Sequence, residues 1–283
     1  KGVWPRDKVC GDAVGGKSLS HVEELGVLPM IQATPYYQVD SILFGSANGS
    51  EVRVMLPKDS YEEKGLMSGY ALPRVQFDYM MFKRASEIVR ENGGSVVQGF
   101  TVKEVLSEGS GASSKITGVT GKFGGGRSDG PLMSFSSTVT IGAGGYNCPV
   151  SRKITDLYDE PHKDDYHFCG GYREYWENVD GLEGQEGQIE IHFIDEVLPG
   201  YFWLFPVKEG VVNVGIGMLI SEQRKQKGMK KSLKKIQKWV IGEHPRFSRR
   251  FKGAKLVEGS EKGWQLPFGS PRKEAPSFQP RRG

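Results

Sequence analysis

The segment Tyr201-Phe-Trp-Leu-Phe-Pro206 constrains the fold most, because it is apolar on both sides of the β-strand that it predicts. Side chains alternate between the two faces of a strand. One face receives Tyr201, Trp203 and Phe205, and the other receives Phe202 and Leu204. Such a strand is either deeply buried or lines an apolar cavity. Pro206 cannot donate to a ladder, so we expect it to end the strand or to lie at a sheet edge.

A second predicted strand follows with the letters Asn213-Val-Gly-Ile-Gly217. Gly215 and Gly217 leave bare backbone at which another group can approach closely. The two segments are compatible with a plain sheet core and with the wall of an apolar cavity, and both readings stay open at this point.

The N-terminal region begins as a charged, extended loop from Trp4 to Asp12 and contains Gly15-Gly16 before a helical pattern from about Lys17 to Leu25. Separated glycines in front of a helix start form a backbone that can lie against a planar ligand. This region therefore predicts a ligand-facing loop.

Three motifs together resemble the geranylgeranyl reductase family of flavoproteins, which share the p-hydroxybenzoate hydroxylase fold. They are Pro5-Arg-x-Lys-x-Cys-Gly11, Arg74-x-x-Phe-Asp78, and Tyr201-x-Trp-x-Phe-Pro206 with its trailing Gly-x-Gly, in the family's order. The resemblance implies a mixed α+β and α/β fold, in which a partial FAD-binding Rossmann-like domain is interleaved with an antiparallel β-sheet substrate domain.

The implied domains are discontinuous in sequence. The FAD-binding domain is expected at residues 1–28 and 72–158, and the substrate domain at 30–70 and 162–265. Residues 266–283 form a polar, Pro-rich tail that we expect to be disordered or spurious.

The resemblance implies FAD as the cofactor and Arg6, Lys8, Cys10, Gly11 and Arg74 as its contacts, with Cys10 also shaping or tuning the reactive face of the flavin. Cys10 is equally compatible with a small buried residue. Arg6 and Lys8 are compatible with surface charges. Arg74 opens a helix, where the dipole favours anions, so a cofactor phosphate or ribose nearby would explain it; an exposed arginine is the alternative.

The resemblance also implies that Tyr201, Trp203, Phe205 and Pro206 line a tunnel for an isoprenoid lipid, whose carbon–carbon double bonds reduced FAD would saturate. Rigid aromatic side chains suit this role because they bury a large area with few rotamers to freeze. A monooxygenase of the same fold and a non-catalytic lipid-binding fragment are the alternatives.

Neither flavin phosphate motif of the family, Gly-x-Gly-x-x-Gly or Gly-Asp-Ala-Ala-Gly, occurs in the sequence. We therefore expect a fragment truncated at both ends that binds FAD weakly by itself. The cluster Gly142-Ala-Gly-Gly145, in the segment Thr138–Asn147 that follows a predicted strand, lacks the third glycine of a phosphate loop at its spacing.

Composition and short sequence patterns limit the class of protein and the kind of site that we expect. No run of 18 apolar residues occurs, and the N-terminus shows no signal-peptide pattern. The three widely spaced cysteines argue for a reducing compartment, so we expect a cytoplasmic protein, peripheral to the membrane at most. The histidines show no metal-ligand spacing, which predicts no metal, and no Gly-x-Ser-x-Gly elbow of a hydrolase is present.

Positive charge is concentrated between residues 222 and 252, where twelve Lys or Arg stand against two Glu, a local excess of +10 in a chain of net charge +4. A helix is predicted at 222–241 with one apolar stripe. It is compatible with contact to an anionic membrane surface or a prenyl diphosphate, and with a solvated helix packed on the core. Nucleic-acid binding is not expected, and the sequence does not determine the oligomeric state.

Overall fold

The computed structural model describes residues 2–57, 69–124, 130–159, 165–182, 184, 186–208, 210–225 and 232–267. Contacts divide the chain into a large unit, residues 5–94 with 169–265, and a small unit, residues 1–4 with 95–168 and 266–283. The division groups residues 5–28 and 72–94 with the large unit. The functional domains expected from the sequence stay a prediction, and the tail from 268 lies outside the described residues.

The described residues form fourteen strands and six α-helices. The strands are β1 (Ala13–Gly15), β2 (Tyr37–Gln38), β3 (Ser41–Gly45), β4 (Glu51–Met55), β5 (Gly69–Ala71), β6 (Thr101–Glu108), β7 (Lys115–Lys122), β8 (Met133–Ser136), β9 (Phe168–Glu177), β10 (Gln188–His192), β11 (Gly200–Lys208), β12 (Val211–Leu219), β13 (Lys255–Leu256) and β14 (Lys262–Pro267). The helices are α1 (Lys17–Glu24), α2 (Leu28–Gln32), α3 (Arg74–Glu91), α4 (Pro149–Leu157), α5 (Ile220–Lys225) and α6 (Leu233–Gly242).

An eight-stranded sheet dominates the large unit, in the order β13-β9-β12-β11-β10-β3-β4 with β14 also pairing β9. β3 and β10 run parallel, and the other neighbours with an assigned register run antiparallel. The mostly antiparallel sheet and the helices around it confirm the predicted mixed α and β fold class. The predicted hairpin of β3 and β4 is also confirmed.

The strand β11 separates two cores of the large unit, as the alternation of its side chains predicted. Phe202 and Leu204 pack with Ile236 and Val240 of α6 on one face. Trp203 and Phe205 pack on the other face, in a cluster that includes Val39 and Ala71. Burying a side chain of this size contributes about 1.5–3 kcal/mol, so this strand anchors both sides of the sheet.

Pro206 does not end its strand, since β11 continues to Lys208, but it lies at a local sheet edge, which is the other outcome that was predicted. Pro206 is buried inside β11 and pairs with Val212 of β12, with a register shift before Lys208. The physical reason lies on the other side of β11, where β10 pairs only with 202–204. Pro206 lies beyond that ladder, so its missing N–H removes no bond to β10.

A three-stranded sheet, β1-β5-β2, leads the chain into α3. Leu19 and Val22 of α1 pack with Tyr70 and Leu72, which come just before α3, and with Met80 inside it. Helix α3 confirms the helix predicted from Arg74. This packing fixes the position of the N-terminus of α3 beside β1.

The small unit contains the sheet β6-β7-β8, which confirms the predicted pairing of β7 with β8. The strand predicted at 95–98 is wrong, because that segment is irregular, and residues 138–141 are irregular as well. Among the described residues neither has a strand partner, and an apolar, alternating pattern alone does not form a ladder. Val139 and Ile141 are 73% and 83% exposed as a result.

The predicted helix 222–241 is seen as two helices, α5 and α6, and residues 226–231 between them lie outside the described residues. The apolar side of α6 packs into the core of the large unit through Leu233, Ile236 and Val240. Lys234, Lys235 and Lys238 lie on its exposed side. Within the part of the chain described, no helix combines the length and apolar character needed to cross a membrane.

Candidate functional site

One face of the large sheet brings together side chains from β11, β12 and β9. The register places three rows of residues side by side on this face: Tyr201, Gly217 and Gly171; Trp203, Gly215 and Arg173; Phe205, Asn213 and Tyr175. We call Tyr201, Trp203 and Phe205 the aromatic column. The aromatic column lies beside a column on β12 that has no large side chain, formed by Gly217, Gly215 and Asn213.

Trp203 is fixed in this face by two contacts. Its indole lies over Gly215, where a Cβ atom would overlap the ring. Its Nε1–H donates a 2.8 Å hydrogen bond to the Asn213 side-chain oxygen. Both residues are buried. Gly215 is therefore required by the packing of Trp203, and the tryptophan is a rigid wall.

Gly171 and Gly217, which we call the glycine pair, are different from Gly215. At Gly217 the nearest atoms to an added Cβ are 3.7 Å and 3.9 Å away, and at Gly171 the nearest is 3.9 Å away. Neither residue has a positive φ. Gly171 is buried and Gly217 is half-buried, and a Cβ atom would make only ordinary contacts at either position, so neither contact requires glycine. Bare backbone in a strand interior is typical of a place that another molecule approaches.

The half-buried surface at Gly217 is bordered by Tyr201, which is 42% exposed, and by two half-buried cysteines, Cys10 and Cys169. Burial raises the pKa of Tyr201, and the neighbouring thiols of Cys169 and Cys10 raise it further. The tyrosine therefore stays a neutral hydroxyl at the mouth of an area lined by apolar and weakly polar groups.

The N-terminal loop lies against this face, as the motif around Cys10 implied. The Asn213 side-chain N–H donates a 3.0 Å hydrogen bond to the backbone oxygen of Cys10. Gly11 lies against Phe205, whose Cε2 would be 2.7 Å from an added Cβ. Glycine at position 11 thus permits the close approach of loop and sheet.

Asp12 is fully buried directly behind this loop. Its Oδ1 accepts a 3.2 Å hydrogen bond from the backbone N–H of Arg74, and its Oδ2 accepts a 2.6 Å bond from the Tyr175 hydroxyl. Burial raises the pKa of Asp12 to about 6, although hydrogen bonds from Asn213 and Tyr175 and the charge of Arg173 oppose the shift. Asp12 is thus ionised at neutral pH.

The side chain of Arg74 is paired with a carboxylate. Its Nε donates a 2.8 Å hydrogen bond to Asp78 one turn later, and both side chains are largely buried. Burial acts to lower the pKa of Arg74, but Cys10 and Asp78 together raise it. The carboxylate of Asp78 therefore offsets the unfavourable position of a cation at a helix start, and a cofactor contact by Arg74 stays a prediction.

Arg173 fastens the beginning of the loop to β9. Its Nη2 donates 2.8 Å hydrogen bonds to both carboxylate oxygens of Asp7 and a 3.2 Å bond to the Lys8 backbone oxygen. Its Nη1 reaches the backbone oxygen of Ser260 at 3.0 Å, and its guanidinium stacks on Tyr175 at 4.3 Å. The side chain is fully buried, which makes this pairing a strong anchor.

The structure brings together most of the residues implied by the motifs. Cys10 and Gly11 meet the aromatic column, and Arg74 lies next to them through Asp12. The side chains of Arg6 and Lys8 are exposed. Trp203, Phe205 and Pro206 are buried and only Tyr201 is open to solvent, so the predicted tunnel stays a prediction.

Four polar residues were missed from the sequence: Asp12, Arg173, Tyr175 and Asn213. Asp12 directly follows Cys10-Gly11, so its place in the motif was a usable signal. Asn213 was visible as a polar residue at the start of an apolar strand. Arg173 and Tyr175 gave no signal, because their role depends on a partner more than 150 residues away in the chain.

The described residues fit the planar ring of a flavin. A flat ring needs bare backbone and apolar walls, and the glycine pair, Tyr201 and the Cys10 loop provide them. Within the same described ranges, no three metal-ligating side chains gather at one point.

The fold is that of flavin-dependent enzymes. A flavin-dependent brominase superposes with a TM-score of 0.69 at 17% identity, covering 93% of this chain and 58% of that chain. A geranylgeranyl bacteriochlorophyll reductase-like protein from Thermoplasma acidophilum superposes with a TM-score of 0.64 at 17% identity, covering 93% of this chain and 58% of that one.

Within that class, residues 166–250 match the family model of the geranylgeranyl reductase catalytic domain, so the resemblance inferred from the three motifs is confirmed. Menaquinone reductases from Mycolicibacterium smegmatis and Mycobacterium tuberculosis H37Rv are 24% and 25% identical over 232 and 237 residues, or 78% of this chain. The chain spans about half the length, 48%, of these curated relatives.

Proposed function

We propose that this chain is the substrate-facing part of an FAD-dependent oxidoreductase that reduces carbon–carbon double bonds of an isoprenoid lipid. The observation that carries the proposal is the glycine pair between the aromatic column and the Cys10 loop. Two glycines that no internal contact requires leave a flat, apolar surface of the kind a prenyl chain or a ring occupies. Relatives that reduce menaquinone, a quinone with a prenyl chain, make a prenylated quinone a suitable substrate.

Each group of residues has a distinct task in this proposal. Bound FAD supplies the hydride equivalent for the double bond. Gly171 and Gly217 let the flat part of a ligand approach the sheet. Trp203, held by Asn213, keeps the wall rigid and excludes water. The loop of Cys10 and Gly11 shapes the opposite side.

Binding of the lipid tests the proposal most directly. We would titrate the chain with a menaquinone of short prenyl chain in mild detergent and follow tryptophan quenching. Gly217→Leu fills the half-buried surface at this position and is expected to weaken binding by at least about tenfold. The matched control, Val52→Leu, adds bulk on the exposed strand β4 and should bind within about twofold of the original chain. Equal binding by both variants, or no binding at all, contradicts the proposal.

The reaction itself separates reductase from monooxygenase, which uses the same fold. The chain would be incubated with FAD, a chemical reductant and the lipid, with and without oxygen. A reductase adds two hydrogens for each double bond and does not need oxygen. A product that gains oxygen only in air favours the monooxygenase. Lipid binding without turnover, at an FAD concentration high enough to saturate the weak binding expected of this chain, favours the non-catalytic alternative.

Because the proposed substrate is a lipid, we also consider how the chain contacts a membrane. The apolar side of α6 packs into the protein's own core. On this helix, the face that is available for a membrane is therefore the lysine face, formed by Lys234, Lys235 and Lys238. We infer an electrostatic, peripheral contact with an anionic surface from the cytoplasmic side. Changing all three lysines to Glu should abolish co-sedimentation with phosphatidylserine vesicles at low salt but leave lipid binding in detergent unchanged. Unchanged co-sedimentation contradicts this contact.

A further inference from the structure

The face of the large sheet that carries the aromatic column continues as an apolar surface across β10, β3 and β4. We infer that the prenyl chain of the lipid lies along this surface and ends at the exposed edge of the sheet, on β4. The inference rests on the proposed function, because it takes the ring of the lipid to lie at the glycine pair. It adds the place of the prenyl chain and a preference for long chains.

The register of the strands defines this surface. Ile191 of β10 pairs with Trp203 of β11. On its other side Ile191 pairs with Phe44 of β3, which pairs in turn with Val52 of β4. Paired residues lie on the same face of a sheet, as do residues two positions apart in one strand. We call the set that leads away from the aromatic column the apolar track: Phe193, Ile191, Ile42, Phe44, Val52 and Val54.

Exposure increases along the apolar track toward the edge of the sheet. Ile191 and Phe44 are half-buried. Val52 and Val54, on the edge strand β4, are 58% and 44% exposed. A ligand that lies over these side chains therefore removes apolar surface from water, which is favourable.

The apolar track is continuous with the candidate site. Phe193 directly follows β10, and the centre of its ring lies 6.5 Å from that of Tyr201, the exposed member of the aromatic column. From Tyr201 on β11 to Val52 on β4 the sheet spans three strand spacings, or roughly 14 Å. A prenyl chain of several isoprene units covers this distance, whereas a single unit stays close to the site.

The opposite face of β10 and β4 is polar. It carries Glu190, which pairs with His192 and Arg250, and Glu51, which pairs with Arg246. Edge strands usually carry charged side chains where they face solvent, because these prevent pairing with other chains. On β4 the charged side chains lie on the opposite face, and the track face carries two valines. An exposed apolar surface of this kind is typical of a binding site.

Continuity with the site determines which occupant fits the apolar track. A lipid whose ring lies at the glycine pair must extend its chain over a neighbouring surface, and the track is an uncharged one. A prenyl chain is a hydrocarbon, so it gains from apolar contact and needs no hydrogen-bond partner. A second copy of the protein is the alternative occupant.

Chain length and one substitution test the apolar track together. We would titrate the chain with menaquinones of one and of six isoprene units in the same mild detergent and follow tryptophan quenching. The six-unit menaquinone should bind at least about fivefold more tightly, because it buries more apolar surface. Val52→Asp should remove most of this gain. It should leave binding of the one-unit menaquinone within about twofold, since a single unit does not reach β4.

Met55→Asp is the matched control. Met55 is 53% exposed on the same strand, but the alternation of side chains places it on the opposite face from Val52. The variant introduces the same charge and should leave the affinity for the six-unit menaquinone within about twofold of the original. Equal losses in the two Asp variants, or equal affinities of the original chain for the two menaquinones, overturn the inference.

Photolabelling locates the end of the prenyl chain without any turnover. A six-unit menaquinone with a diazirine at the end of its prenyl chain should attach to the peptide that contains β4, as peptide mass spectrometry would show. An excess of the unlabelled menaquinone should prevent this attachment. Specific attachment only to other peptides overturns the inference.

The remaining outcomes separate this inference from its alternatives. If Val52→Asp converts a dimer to a monomer in sedimentation velocity and leaves the six-unit affinity unchanged, the track is an interface between copies and the inference is overturned. If both menaquinones bind equally and Gly217→Leu weakens both, the proposed function stands without the track.

If neither menaquinone binds, geranylgeraniol, a prenyl alcohol without a ring, decides about the track by itself. Binding of geranylgeraniol that Val52→Asp weakens and Met55→Asp does not would support the apolar track although the proposed substrate fails. Absence of binding would overturn both proposals.

Discussion

The indole N–H of Trp203 donates a 2.8 Å hydrogen bond to the side chain of Asn213, on the neighbouring strand. The same amide donates to the backbone oxygen of Cys10. One asparagine therefore connects the middle of the aromatic column to the loop that carries the motif Pro5–Gly11. This link explains how residues about 200 positions apart in the chain form one face.

We expect Asn213→Ala to lower the free energy of unfolding by about 2–4 kcal/mol, because it leaves the buried Trp203 N–H and the Cys10 oxygen without partners. Urea unfolding followed by tryptophan fluorescence measures the change. Trp203→Phe removes the indole N–H, which is the donor of this hydrogen bond, and serves as the partner variant. The loss caused by Asn213→Ala should be smaller in the Trp203→Phe background, and fully additive losses would contradict a direct link.

Asp12 should make stability depend on pH. Its pKa is about 6 in the folded protein, against an ordinary value of 3.8. Between these values the folded state binds more protons than the unfolded state, so the free energy of unfolding falls as pH rises. A shift of this size corresponds to about 3 kcal/mol lost between pH 4 and pH 6.

Asp12→Asn should remove this loss, so that the difference between the two chains is measured directly. Urea unfolding at several pH values gives both curves. Parallel curves for the original chain and the variant would show that Asp12 does not titrate in this range.

Gly215 and Gly217 should respond in opposite ways to the same change. Gly215→Ala forces a Cβ into the Trp203 ring and should destabilise the large unit by about 1–3 kcal/mol, the usual cost of overpacking. Gly217→Ala has space and should stay within about 0.5 kcal/mol of the original stability. Thermal melts of the two variants make the comparison, and equal losses would mean that the area around Gly217 is not open.

Asp7 and Arg173 should stabilise the loop at neutral pH and release it in acid. Burial acts to raise the pKa of Asp7, but hydrogen bonds from Lys262 and Arg173 hold it below the ordinary value of 3.8. Its contribution is therefore present above pH 4 and is lost as pH falls through the lower folded value.

Arg173→Met leaves Asp7 without its buried partner and should cost about 3–5 kcal/mol, whereas Lys262→Met at the more exposed end should cost about 1 kcal/mol or less. Urea unfolding of both variants at neutral pH tests the difference. A similar cost for both would show that the pairing with Arg173 is not buried in solution.

Local patterns in the sequence were sufficient for the elements that carry strong periodicity. The two faces of β11, the helix from Arg74 and the hairpin of β3 and β4 followed from alternation, helical spacing and turn residues, which depend on neighbours in the chain. The three motifs were sufficient to show the resemblance to the family, because each is a short string of residues that is read directly from the sequence.

Only the tertiary structure decided how distant residues meet. Pro206 lies inside a strand because β10 stops short of it, and residues 138–141 form no strand because no described strand pairs with them. Asp12, Arg173, Tyr175 and Asn213 became visible as one network only when β9, β12, α3 and the N-terminal loop were in place. The sequence determined which segments could form strands and helices, since those forces act between near neighbours. Hydrogen bonds and ion pairs between remote residues depend on the packing of the whole unit. The tertiary structure therefore determines which residues form the site.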